Sequence, residues 1–308
     1  MTYLFIGIGN AGEAISDALL DYKVVKRAKP IVLKTNPERD KEDTIKGTLN
    51  GIKGVDFAFL FSGLSNGNIT PLIAEILAGR NIKIVLVGVL PASRREKREN
   101  LINAYHSMEK LKEHVNAFII IDNQRLAHLP NFEDYYPSYN RYIASCIADI
   151  LAGTSLPASR AASEKQLPLQ IDEVVKALSF EDEPGYVAVS RASELTKGLW
   201  GYIFPFMRHK PLDLGTLLRV SLEKFSISDA PLGCEKSVSF LQVPEYYIKT
   251  RSVDREQVEE FMLAHAKECH LAVYITKRNI AAITNLFTYK FDQLERLREL
   301  RRLAYEGI

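Results

Sequence analysis

Short apolar runs separated by amphipathic stretches organise the first 125 residues. Residues 3–8 are apolar on both faces and predict a buried strand, and 10–21 predict a helix. Further strands are predicted at 31–34, 56–61, 83–89 and 117–122, with helices over 68–77 and 94–114. Strands apolar on both faces, alternating with helices, argue for a parallel sheet covered on both sides. In such sheets ligands bind at the carboxyl ends of the strands, where loops meet helix N-termini.

A helix over 138–151 comes next, with Ile143, Ile147, Ile150 and Leu151 at helical spacing and Gly153 expected to end it. Residues 152–167, rich in Ala, Ser and Pro, read as a linker. A short helix at 172–178 and a turn at 181–185 follow. The pattern then changes. A helix is predicted over 210–225 with Pro211 near its start, and an alternating strand over 237–243. A helix over 254–266 takes Asp254 as its N-cap. Two strands, 271–275 and 280–287, join at Lys277-Arg278-Asn279, and Leu294, Leu297, Leu300 and Leu303 mark a helical tail over 291–305.

A length of 308 residues favours two domains. The net charge of +2 gives no electrostatic argument for a nucleic acid or a membrane surface. Cys146, Cys234 and Cys269 are far apart and form no C-x-x-C pair, so they suggest neither a metal site nor a disulfide framework. They read as buried thiols of a reducing cytosol. No signal peptide is expected, because the N-terminus enters a strand without a basic region or cleavage site. The longest apolar runs, 57–61 and 118–121, fall far short of the roughly 20 residues a membrane helix needs. A cytoplasmic location without membrane insertion is the expectation.

The first chemistry lies in Gly7-Ile8-Gly9-Asn10-Ala11-Gly12, a G-x-G-x-x-G that follows the first strand and opens the first helix. Glycine lets backbone approach a phosphate, and the helix start offers unpaired N–H groups. The bland alternative is a tight strand–helix turn. The motif does not say which nucleotide. A dinucleotide fold wants an acidic residue after the second strand. Lys34 and Arg39 stand there instead and suit a 2′-phosphate, which keeps an NADP-dependent oxidoreductase or sensor open.

Downstream segments resemble the FtsZ/tubulin superfamily. Lys34-Thr35-Asn36 corresponds to the family's N-T-D. Ser62-Gly63-Leu64-Ser65-Asn66-Gly67-Asn68-Ile69-Thr70-Pro71 stands where the family has a longer glycine-rich phosphate loop. The most specific stretch is 111–126, which looks like L-x-K-H-V-D-x-L-I-x-I-P-N-D-K-L. Pro91 follows the fourth strand. Glu96 falls where the family contacts ribose, and Asn100 where it has an Arg. Tyr136-Pro137-Ser138-Tyr139-Asn140 is similar to F-x-x-A-N, in which the ring stacks on guanine and the Asn bonds its edge. The chemistry suits those residue types. Residues 185–193 resemble G-Y-A-M-M-G-x-G-x-A-S.

The departures matter as much. Residues 37–55 are short for the family's second phosphate loop, which is expected to be trimmed away together with a helix. The main phosphate loop has lost glycines, although Ser65, Asn66, Gly67 and Asn68 still offer donors. The family's N-x-D-F-A-D inserts carboxylates into the next subunit's nucleotide site. Here Pro168-Leu169-Gln170-Ile171-Asp172-Glu173 aligns with it. A Gln orients water in some GTPases, yet a side chain misplaced by an ångström costs heavily in rate. Asp172 and Glu173 read equally well as favourable first-turn charges on a helix.

The resemblance implies an α/β fold: a parallel-sheet nucleotide-binding domain over 1–152 with a central helix at 138–152, a linker and catalytic-type loop over 153–184, and a smaller α+β C-terminal domain over 185–308. It implies binding of GTP or GDP, with any Mg held largely by phosphates and water. It further implies head-to-tail self-association, or regulation of FtsZ/tubulin-like relatives, and weak or absent GTP hydrolysis. A ligand-free scaffold is the third reading, favoured by the eroded phosphate loop.

Overall fold

The computed structural model describes residues 1–37, 39–65, 67–154, 169–198, 209–228, 230–231, 233–250 and 253–306. Nine strands, β1 (Tyr3–Ile8), β2 (Ile31–Thr35), β3 (Phe57–Gly63), β4 (Lys83–Leu90), β5 (Ala117–Asp122), β6 (Gly185–Leu195), β7 (Cys234–Pro244), β8 (Ala266–Thr276) and β9 (Ile280–Tyr289), form one sheet in the order β2-β1-β3-β4-β5-β6-β9-β7-β8. From β2 to β6 all pairs are parallel. β9 is antiparallel to both β6 and β7, and β8 closes the far edge parallel to β7.

Helices α1 (Gly9–Leu20), α2 (Lys23–Ala28), α3 (Glu42–Gly51), α4 (Ile69–Ala78), α5 (Arg98–Leu111), α6 (Tyr136–Thr154), α7 (Ile171–Ala177), α8 (Leu214–Leu222), α9 (Glu245–Lys249), α10 (Arg255–Leu263) and α11 (Glu295–Tyr305) cover it. Alternation along each strand divides the core in two. Leu4, Ile6, Leu60, Leu86 and Ile120 lie in one apolar cluster with residues of α3, α4, α5 and α11. Phe5, Phe59, Phe61, Val87 and Ile119 lie in the other with residues of α1, α6 and α7. Strands apolar at every position are thus apolar because both faces are buried.

The two halves of the sheet join where strands part. β5 meets β6 only from Ala117–Gly185 to Ile120–Ala188. Beyond this Ser226 fills the gap. Its N–H donates to the Val189 carbonyl (2.7 Å), its hydroxyl donates to the Ile120 carbonyl (2.6 Å) and accepts from the Val189 N–H (2.9 Å), and its carbonyl accepts from the Asp122 N–H (2.8 Å). Backbone groups that the diverging strands would orphan are satisfied this way. A second joint is ionic. Asp149 of α6, buried, accepts from Arg191 Nε (2.8 Å), the Tyr274 hydroxyl (2.9 Å) and the Thr284 hydroxyl (2.7 Å).

Several sequence expectations are corrected. The segment expected to have lost a helix carries α3, ten residues long. The charged helix expected from 94 starts at Arg98, because Arg95 and Glu96 first turn back to the Ala92 carbonyl (3.1 and 3.0 Å). Gly153, expected as a stop, lies inside α6. A Cβ there would sit 2.4 Å from Phe240 Cδ1, so close packing explains the glycine. The predicted helix over 210–225 shrinks to α8, while the strand at 271–275 grows to β8. Asp254 caps α10 as predicted, accepting from the N–H groups of Glu256 (3.0 Å) and Gln257 (3.4 Å). Most of the predicted linker, 155–168, lies outside the described residues.

Candidate functional site

Loops leaving β1, β3 and β4, together with the start of α6, supply most of the predicted binding residues. The G-x-G-x-x-G divides its work. A Cβ on Gly12 would lie 2.0 Å from the Phe61 carbonyl oxygen, and one on Gly7 2.6 Å from Ser16 Oγ, so these two glycines let α1 press onto β3 and its own strand. Gly9 turns the chain with φ of 65°, a conformation that favours glycine. Asn10 is exposed and Ala11 half-buried at the opening. α1 starts with neither a side-chain cap nor an acidic residue in its first turn.

The β3–α4 loop is closed by two buried hydroxyls, Ser62 and Thr70, 2.7 Å apart. Leu64 is committed to the fold: its N–H donates to the Val89 carbonyl (2.9 Å), and a Cβ on Gly88 would lie 2.9 Å from its Cδ1. Gly67 turns with φ of 81° beside half-buried Ser65 and Gly63. Asn66 lies outside the described residues. Asn68 accepts from Lys110 Nζ (2.8 Å) through Oδ1 and opens α4, again without a side-chain cap or first-turn acid.

After β4 the chain passes Pro91 to Glu96, whose carboxylate accepts from the Ala92 N–H and from Asn100 Nδ2 (both 3.2 Å). Burial raises the pKa of the Tyr136 hydroxyl, with the negative charges of Glu96 and Glu133 adding to the shift, so Tyr136 stands near Glu96. Its ring meets Phe132 edge-on at 5.7 Å. Asn140, one turn further along α6, is half-buried, and its amide has no hydrogen-bond partner among the described residues. Arg95, which sequence reasoning passed over, ties this corner together: Nε donates to the Ala127 carbonyl (3.1 Å) and the guanidinium lies 5.2 Å from the Phe132 ring centre.

Two predicted residues at the end of β2 and just beyond it are otherwise engaged. Lys34 Nζ pairs with Asp17 Oδ1 of α1 at 2.5 Å. The Asn36 N–H (2.8 Å) and the Thr35 hydroxyl (3.0 Å) donate to Asp40, a loop-closing residue the pattern did not single out. A separate groove between α4 and α5, lined by Glu75, His106, Glu109 and His114, contains none of the predicted residues.

Gln170, Asp172 and Glu173 are not in this cluster. Asp172 Oδ1 pairs with Lys83 Nζ (2.6 Å), the first residue of β4. The cluster follows the other end of that eight-residue strand, about 25 Å away at roughly 3.3 Å per residue. Glu173 accepts from the Gln170 N–H (2.7 Å) in a capping box. Each carboxylate therefore has a local structural partner.

The cluster fits a nucleotide. Two bare helix starts offer N–H groups and positive dipole ends to phosphates. Tyr136 offers an aromatic surface, and the unpartnered Asn140 amide offers both a donor and an acceptor.

Residues 26–131 match the Tubulin/FtsZ family, GTPase domain. That span holds the β3–α4 and β4–α5 loops, while Gly7–Gly12 and the start of α6 fall outside it. Over 260 residues the chain is 29% identical to the tubulin-like protein CetZ of Pyrococcus abyssi, covering 63% of this chain and 70% of that one. Other CetZ and FtsZ relatives are matched over less than half of their length. Among solved structures, GDP-bound monomeric CetZ1 from Haloferax volcanii aligns with a TM-score of 0.72 at 17% identity, covering 100% of this chain and 99% of that one. CetZ2 from the same organism, a GTPγS-bound protofilament, aligns with a TM-score of 0.71 at 16% identity, covering 100% and 98%. At such identities the structural likeness is one of fold. Residues 26–131 are thus similar to the Tubulin/FtsZ GTPase domain, and the chain as a whole shares the fold of the CetZ structures. The NADP-dependent and ligand-free readings are not favoured, and Lys34, the best feature of the former, is already paired with Asp17.

Proposed function

We propose that this protein binds GTP or GDP at the carboxyl ends of β1, β3 and β4, associates head to tail into filaments, and hydrolyses GTP weakly or not at all. One observation carries the reading. The nucleotide-type cluster and the Gln170–Glu173 segment occupy opposite ends of the same sheet, with Lys83 at one end of β4 and Pro91 beyond the other. One molecule cannot bring them together; stacking the foot of one on the head of the next does. Such a contact does not close on itself and so propagates. The GDP-bound and protofilament states of the two CetZ neighbours support it.

In this reading the phosphates sit against the starts of α1 and α4, the ribose near Glu96, and guanine between Tyr136 and Asn140. We read residues 1–152 as the nucleotide half, 153–184 as the catalytic-type loop and 185–308 as the supporting half. Magnesium arrives with the phosphates. Bound GTP supplies the phosphoanhydride that water cleaves. Residues 170–173 have the task of orienting that water, and Gln170 and Glu173 stand where the family uses two Asp. Losing one preorganised donor or orienter costs about 10²–10³ in rate, so two losses silence the reaction.

Identifying the nucleotide released on denaturing the purified protein tests binding, and electron microscopy with GTP tests assembly. Guanine nucleotide and filaments are expected. Equal affinity for ATP and GTP in calorimetry, or a monomer at high concentration with GTP, overturns the respective half. Brisk phosphate release abolished by Asp172→Ala overturns the weak-hydrolysis part; Gln170→Asp/Glu173→Asp is expected to raise the rate above the parent.

A further inference from the structure

Arg296 of α11 is 3% exposed, and its donors are spent on a loop far away in sequence. Nε faces Asp122 Oδ1 (3.3 Å) at the end of β5, NH2 donates to the Pro91 carbonyl, and NH1 donates to Ser93 Oγ and to Glu299 (2.6 Å). Ser93 in turn donates to Glu299 Oε1 (2.8 Å). Burial pushes the Asp122 carboxyl up, and the Arg296 charge opposes that shift. The same loop, three residues beyond Ser93, ends at Glu96, which holds the Ala92 N–H. So the segment between Pro91 and Glu96 is gripped from one side by the C-terminal helix and from the other by a candidate ribose contact.

A buried ion pair is a poor way merely to fasten a helix. Its desolvation offsets most of its attraction, and well-packed apolar residues do as well or better. α11 already has such packing through Leu297, Leu300 and Ala304. What an arginine adds is a planar fork that fixes several acceptors in one plane. Two of the acceptors here, the Pro91 carbonyl and Ser93 Oγ, belong to the β4–α5 loop.

We propose that Arg296 is a positioning residue for the nucleotide site, coupling the seating of the C-terminal helix to nucleotide occupancy through Pro91 and Ser93. The inference rests on the guanine-nucleotide reading above. Because such coupling is reciprocal, a nucleotide that steadies the loop also steadies α11, and loosening α11 weakens the nucleotide. A partner or truncation that displaces α11 therefore releases nucleotide.

The test uses the full chain and fluorescent N-methylanthraniloyl-GDP, with amide hydrogen exchange read in α11. Ser93→Ala removes one of the two loop acceptors and leaves the Asp122–Arg296 pair intact. Arg296→Lys keeps the charge beside Asp122 and loses the fork. Both are expected to weaken GDP about tenfold at a temperature well below unfolding. GDP is expected to slow exchange in α11 of the parent and to do so much less in Ser93→Ala. Parental affinity in both variants, or α11 exchange indifferent to GDP in the parent, overturns the coupling while leaving the functional reading standing. A parent that binds no guanine nucleotide overturns both. Loss of thermal stability with unchanged affinity shows a purely structural arginine and also overturns it.

Discussion

Two helix starts in the first half of the sheet contrast with two in the second. In the first half, α1 and α4 start bare, with no side-chain cap and no acid in the first turn. In the second, Asp213 caps α8 by accepting from the Thr216 N–H (2.9 Å), and Asp254 caps α10. Buried polar groups there are also matched internally: Asn285 Oδ1 accepts from Ser239 Oγ (2.8 Å), and Nδ2 donates to Ser221 (2.8 Å) and Ser190 (3.3 Å). A helix start whose N–H groups already have an acceptor has little to offer an anion, whereas a bare one keeps both donors and dipole. Short α2 is bare as well, so bareness counts only where loops and a base-sized ring converge. Under the proposed function, the difference teaches that the α1 and α4 starts are left for a ligand to complete, while the α8 and α10 starts are completed by their own caps.

Asp149→Ala should have the largest effect. It strips Arg191 of its partner inside the molecule, and breaking a buried pair from one side costs about 3–5 kcal/mol. Urea unfolding should register that loss; a change under 1 kcal/mol would mean the joint between the halves does not depend on this pair. Gly12→Val comes next. Its Cβ would meet the Phe61 carbonyl oxygen at 2.0 Å, so α1 must lift off β3. Overpacking of this kind costs about 3 kcal/mol, and guanine-nucleotide affinity should fall with stability; a variant that unfolds and binds like the parent would refute this packing account. Asn140→Ala separates the two properties. Nucleotide affinity should drop by on the order of 1–3 kcal/mol, as guanine groups go unpaired, while unfolding midpoints hold. A calorimetric titration matching the parent would remove Asn140 from the site. Asp213→Ala is the mirror case and the smallest. Loss of the cap should cost about 1 kcal/mol of stability with nucleotide affinity unmoved; weaker binding in that variant would show that the halves do not divide the work as described.

Much of the first half was legible because its signals are local. Runs such as 57–61 are apolar at every position, which only a sheet covered on both faces requires. Gly9 follows the strand at the point where a turn needs it, and Asp254 sits one residue before its helix. β6 was harder to read as a strand: Ser190, Arg191, Ser193 and Glu194 interrupt its apolar run, and its extended form is secured by β9 alongside it. Gly153 was misread because the reason for it, Phe240, lies in another element. The candidate site was legible as residue types in order. That Leu64 turns into the core, and that Lys34 is held by Asp17, could not be read from spacing.

By itself the sequence determined the element types, the two-faced sheet, the glycine turn and the aromatic–amide pair that opens α6, because each depends on residues within about one helical turn or one strand of one another. Tertiary structure alone decided which end of the sheet each candidate occupies. It placed Asp172 at the foot of β4 and Glu96 beyond its head, put Arg296 from the leucine-spaced tail under the Pro91–Ser93 loop, and closed Asp149 between α6 and three strands. Those outcomes depend on long-range register and on the need to pair every buried charge, and neither leaves a periodic trace along the chain.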